Sequence, residues 1–157
     1  MFEIVEKMIN QTKDYFERGM DKLADLLIDE DIARSSMVLA AWISSADGTI
    51  TENEIAETEK FINETEYFEE KDHPKLIKVY REWCRNFIKN PEDALVYAFA
   101  EIAPLANRPE AVNAVQLAYK IAQSDHVVTE SELKIITKVC IVLGVICDDE
   151  YQCVLRH

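Results

Sequence analysis

Glycine occurs only three times in this 157-residue chain and proline only four times. A chain so poor in turn-formers cannot build many hairpins, and alternating apolar–polar runs of strand type are scarce in it. Long helices with short connections are the expectation. Histidine is rare too, with three residues. None sits in a recognisable nucleophilic triad, and there is no phosphate-binding glycine loop. Glu-x-x-His, which helical di-iron proteins carry on two helices, occurs once, from Glu70 to His73, immediately before Pro74. These absences argue against an enzyme. The longest uncharged apolar run, VCIVLGVIC at 139–147, is too short to span a bilayer. The opening MFEIVEKM has acids where a secretory signal has bases and a long apolar core. Basic residues are outnumbered, 17 Lys and Arg against 30 Asp and Glu, for a net charge of −13. Such a surface repels phosphate backbones, which disfavours direct nucleic-acid binding and favours cations and basic partners.

No pair among Cys84, Cys140, Cys147 and Cys153 has Cys-x-x-Cys spacing. With no secretory signal, the expectation is a cytoplasmic protein with reduced thiols. Cys147, Cys153 and His157 could meet around zinc, but their spacing fits no standard zinc pattern. Buried helix cysteines, behaving as small hydrophobes, are the simpler reading.

What is present is a core. Apolar residues make up 48%, too many for a disordered chain, and the length suits one domain. Residues 2–28 carry Phe2, Val5, Met8, Ile9, Phe16, Met20, Leu23, Leu26 and Leu27 at helical spacing. A helix over about 33–46 is apolar on most sides, which suggests a buried central position. Further helices are expected over about 52–66, 74–89, 91–105, 108–124 and 130–143. Asp72 and Asn90 are candidate caps before Pro74 and Pro91, Pro104 ends or kinks a helix, and Gly144 stops one. A short helix after Asp148-Asp149 completes an all-α fold of seven to nine helices.

DGTITENE at 47–54 looks like the back half of a calcium loop. The front half is missing: Ile43 stands where the first ligand belongs, and it cannot ligate. The stretch instead has a second copy. LAAWISSADGTITENEI at 39–55 aligns with LAYKIAQSDHVVTESEL at 117–133, and Leu39, Ala40, Ile43, Asp47, Thr51, Glu52 and Glu54 recur as Leu117, Ala118, Ile121, Asp125, Thr129, Glu130 and Glu132. Roughly one match is expected by chance, so the chain reads as duplicated helix–loop–helix units.

Two explanations account for the repeated acids. Thr51-x-x-Glu54 and Thr129-x-x-Glu132 are both capping boxes, which need no ligand. Asp47-Gly48 is also a plausible helix stop. Caps leave the matched placing of Asp47 and Asp125 unexplained, and they account for Glu52 and Glu130 only as first-turn acids favoured by the helix dipole. An Asp at a helix end with a Glu seven residues on can approach one cation from both sides of a short loop. Two such pairs, packed about a pseudo-twofold axis, supply four carboxylates, which repel one another unless a cation neutralises them. Oxygen ligands favour calcium, magnesium or manganese over zinc.

SSADGTITENE at 44–54, RPEAVNAVQLAYKIAQSD at 108–125 and VTESELKIITKVCIVLGV at 128–145 resemble the tellurite-resistance TerB family. The resemblance covers about 33–150. It implies an all-helical domain of two pseudo-repeats and a metal site at Asp47, Glu54, Asp125 and Glu132, with Glu52 and Glu130 as further candidates. It also implies a role in stress response and resistance to tellurite through protein partners and bound metal, and it allows peripheral association with the inner membrane face. His126 departs from the family pattern, which has Gly there. Residues 1–32 then form an amphipathic segment packed on a domain spanning 33–157, with repeat motifs near 39–66 and 117–144. The competing reading is a metal-free acidic helical module that docks a protein partner.

Overall fold

The computed structural model describes residues 30–124, 127–148 and 152–156. Among them are six α-helices: α1 (Glu30–Ser44), α2 (Glu52–Glu64), α3 (His73–Lys89), α4 (Pro91–Ile102), α5 (Pro109–Gln123) and α6 (Glu130–Leu143). Two 3₁₀ turns, Glu70–Asp72 and Ala103–Leu105, lead into α3 and out of α4. The chain is mostly helical, as expected, but its described part holds six helices and not seven to nine. Segment 2–28 lies outside the described residues. The C-terminal segment forms a hairpin, not a short helix: β1 (Val145–Cys147) pairs antiparallel with β2 (Cys153–Leu155). β-Branched and aliphatic residues alternate between buried and exposed along both strands, and that fits a pleat.

α1 is the central helix. Met37, Val38, Leu39, Ala40 and Ala41 are fully buried along consecutive positions, so every side of the helix faces protein. It packs chiefly on α5 and α3, and also on α4 and α6; α2 in turn packs on α3 and α5. Small residues allow the close approach of α1 and α5: Ala40 and Ala41 on one, Ala111, Ala114 and Ala118 on the other, all without solvent contact. Trp42 anchors the far side. It stacks on Phe87 of α3 at 6.2 Å between centroids and meets Phe99 of α4 edge-on at 5.2 Å.

Local signals decide where helices start and stop. Gly144 ends α6 in the left-handed conformation, φ 71°, and its N–H returns to the Cys140 and Ile141 carbonyls. A Cβ there would also collide with the Asn107 side chain, because the α4–α5 loop closes onto this point through Asn107 N–H to Leu143 O at 2.9 Å. Pro104 terminates α4 by tightening it into the 3₁₀ turn. Asp72 and Asn90 do occupy cap positions, but neither side chain makes the cap bond. The 3₁₀ turn feeding α3 keeps Asp72 in helical backbone, so its carboxylate does not reach back over the first turn.

Buried polar groups tie α1, α2 and α3 together below the first acidic loop. Tyr80 is 1% exposed and donates to Ser44 Oγ at 3.1 Å. Burial pushes the Tyr80 phenol upward and raises the nearby Cys84 thiol to about 12. Both groups are acids whose folded pKa is raised. Their contribution to stability is full below the unfolded values of ~8.5–10 and is lost as pH rises toward the folded ones. Stability measured by urea unfolding is expected to fall above about pH 9, with a slope of up to about 1.4 kcal/mol per pH unit for each such group. Cys84→Ala should make the decline shallower. An unchanged slope in that variant would remove Cys84 from the account.

Candidate functional site

Both acidic segments sit at helix–loop–helix corners. In the first, α1 unwinds at Ser44, Ser45 Oγ donates to the Trp42 carbonyl at 2.8 Å, and Gly48 takes a φ of 82°. That left-handed residue turns the chain outward and leaves Asp47 exposed. The chain then enters α2 at Thr51, whose side chain accepts from the Glu54 N–H at 3.1 Å. In the second corner α5 ends at Gln123 and α6 begins after Thr129, whose hydroxyl accepts from the Glu132 N–H at 3.2 Å. Asp125 and His126 lie outside the described residues, so the second loop is represented by its two flanks.

The two corners differ where the sequence makes them look alike. Glu132 closes the capping box: its Oε1 accepts from the Thr129 N–H at 2.9 Å, and the residue is 2% exposed. Glu54 does not close the matching box, and it stays half-buried. Both threonine caps are present as expected, but only the second is reciprocal. Glu52 is exposed and faces the Arg81 guanidinium at 3.4 Å. Arg81 holds Glu59 more closely, with Nε to Oε1 at 2.7 Å. Glu130 is exposed in the first turn of α6. Among the described residues no three His, Cys, Asp or Glu side chains are grouped to hold a metal ion.

The donor chemistry of the first corner suits a hard cation, because Asp47, Glu52 and Glu54 offer only carboxylate oxygens. Their number is too small for calcium, which takes about six to eight oxygens, so any ion must draw on the second corner or on water. Glu132 has spent one oxygen on its cap. A carboxylate carries two oxygens with about four lone-pair sites, so the cap alone does not rule out ligation.

Sequence reasoning missed Arg81, which lies 29 residues from Glu52 and meets it only because α2 packs on α3. It also misjudged the cysteines. Cys84 and Cys140 are buried in helices, as expected, but Cys147 and Cys153 form a disulfide. They face each other directly in the β1–β2 register, and the hairpin is what brings them together. The β-prone runs VIC and CVL on either side of the acidic stretch DDEYQ were the signal available.

A groove of about 790 Å³ lies elsewhere among the described residues. It runs between α1, α3 and α4 and is flanked by the Arg34–Glu101 ion pair, Asp93 and Tyr97. Neither acidic corner lines it. No helix among the described residues is long and apolar enough to cross a membrane.

The described residues form a helical domain in which two threonine-capped helices, α2 and α6, each follow an acidic segment. Its family is specific: the model of "Tellurite resistance protein TerB" matches residues 33–152, and the chain belongs to the TerB family. No curated protein and no solved structure matches it significantly.

Proposed function

We propose that this TerB-family protein is a non-enzymatic, cytoplasmic stress-response factor that binds a divalent cation through its duplicated acidic corners. Asp47 and Glu54 would supply oxygens from the first repeat and Asp125 and Glu132 from the second, with Glu52 and Glu130 at the periphery. Calcium, magnesium and manganese fit these donors better than zinc. The observation that carries the reading is Glu54. Its capping box is left open, although its counterpart in the second repeat closes one, and so the Glu54 carboxylate is not committed to a cap. The pairing of α1 with α5, of α1 with α6 and of α2 with α5 supports two pseudo-repeats packed about a common axis.

Thermal unfolding of chelator-stripped protein, titrated with each ion in turn, tests the proposal. A ligand that binds only the folded state adds about 2.7 kcal/mol at a hundredfold excess over Kd. One ion should raise the midpoint, and an Asp47→Asn/Asp125→Asn double variant should lose the rise. No rise with any ion at millimolar concentration would sink the metal reading. It would leave a metal-free module that docks a protein through its acidic surface. That alternative has an observation of its own, since Glu132 and Glu52 both have structural partners in the cap and in Arg81.

A further inference from the structure

The C-terminal end of the domain gathers three sulfurs. Cys147 and Cys153 are bonded, and the free thiol of Cys140 lies with its Sγ 3.4 Å from Cys147 Sγ. Three elements make this cluster. Cys140 stands on the last turn of α6, Gly144 reverses the chain, and β1 then carries Cys147 back past the end of the helix. β2 brings Cys153 opposite it. All three residues are mostly shielded: Cys153 has no solvent contact and Cys140 is 7% exposed. The acidic corners make no use of them.

We propose that Cys140, Cys147 and Cys153 form a thiol–disulfide exchange site in which Cys147 is shared between two alternative partners. The thiolate of Cys140 attacks Cys147 Sγ. A Cys140–Cys147 bond forms, the Cys147–Cys153 bond breaks, and its electron pair leaves on Cys153 Sγ, which takes up a proton to replace the one lost from Cys140. The number of disulfides is unchanged, so the step needs no outside oxidant or reductant. Sulfur already sits at van der Waals contact with the sulfur it must attack.

The two pairings restrain different parts of the fold. With Cys147–Cys153 closed, β2 is stapled to β1, and β2 packs against α5, the helix that leads into the second acidic corner. With Cys140–Cys147 closed, β1 is tied to the end of α6, and β2 is held only by non-covalent contacts. Burial pushes the Cys140 thiol up to about 11, so only a small thiolate fraction exists at neutral pH. The exchange is accordingly slow at pH 7 and speeds up about tenfold per pH unit below that value, because the thiolate is the attacking species.

Disulfide mapping tests this. Protein purified without reductant is held at pH 7, 8 and 9, quenched in acid over time, alkylated under denaturing conditions and cut before aspartate. Cleavage at Asp148 and Asp149 separates Cys153 from the other two. The Cys147–Cys153 form gives two cross-linked peptides with Cys140 alkylated. The exchanged form gives one internally bridged peptide with Cys153 alkylated. We expect both forms, with the exchanged one appearing about tenfold faster per pH unit. Only the Cys147–Cys153 form at every pH and time overturns the proposal. In a glutathione disulfide buffer, Cys153→Ser should close Cys140–Cys147 while Cys84 stays alkylated; a variant with helical circular dichroism intact that leaves both thiols free also overturns it.

Discussion

Trp42→Ala is expected to lower unfolding stability by about 3–5 kcal/mol. The indole is 4% exposed and joins three helices, being on α1, stacked on Phe87 of α3 and edge-on to Phe99 of α4. Truncation removes the buried area and both ring contacts, and it leaves a void that close-packed neighbours fill only in part. A domain of this size has about 5–15 kcal/mol of total stability, so the loss is a large share of it. The melting midpoint should drop by about 10 °C, at about 2–4 °C per kcal/mol for a chain of this length. Urea unfolding and calorimetry would measure it. A loss below about 1 kcal/mol would mean that the aromatic cluster does not hold α3 and α4 onto α1.

The second large effect separates cap from ligand at Glu132. Glu132→Ala removes a buried side chain that accepts the Thr129 N–H, and it should cost about 2 kcal/mol in metal-free protein. Glu132→Gln keeps an oxygen in place to accept that N–H, since Gln also closes a capping box, and its cost should be a fraction of the alanine variant's. Glu54→Ala, whose box is open, should cost less than about 0.5 kcal/mol. These three values come from urea unfolding with chelator present. The same variants with the stabilising ion then give a distinct pattern: Glu132→Gln should fold well yet lose most of the ion's stabilisation, and Glu54→Ala should lose it as well. If Glu132→Gln binds the ion as tightly as the parent, Glu132 is a cap and nothing more. The metal site would then rest on Asp47, Glu54 and Asp125.

The helices were legible because their signals are local. Apolar spacing located α3 and α5, Thr51 and Thr129 marked two helix starts, and Gly144 marked a stop, each within a few residues of the element it controls. The near-continuous apolar run of α1 announced a central helix for the same reason. The hairpin was harder to see. Val145–Cys147 reads as a continuation of an apolar helix until Gly144 is taken together with a partner strand six residues away. The disulfide follows from that pairing and could not be read from cysteine spacing alone.

By its own pattern the sequence determined the helical class, the duplicated corners and the residues on them, since periodicity and capping act over one or two turns. Tertiary structure alone decided that the two corners are unequal. Burial of α6 against the core draws Glu132 into its cap, while the first corner stays open to solvent and Glu52 meets Arg81 from a neighbouring helix. Identical motifs acquire different chemistry because a carboxylate's role depends on which groups packing brings within about 3 Å of it, and that is fixed by the whole chain at once.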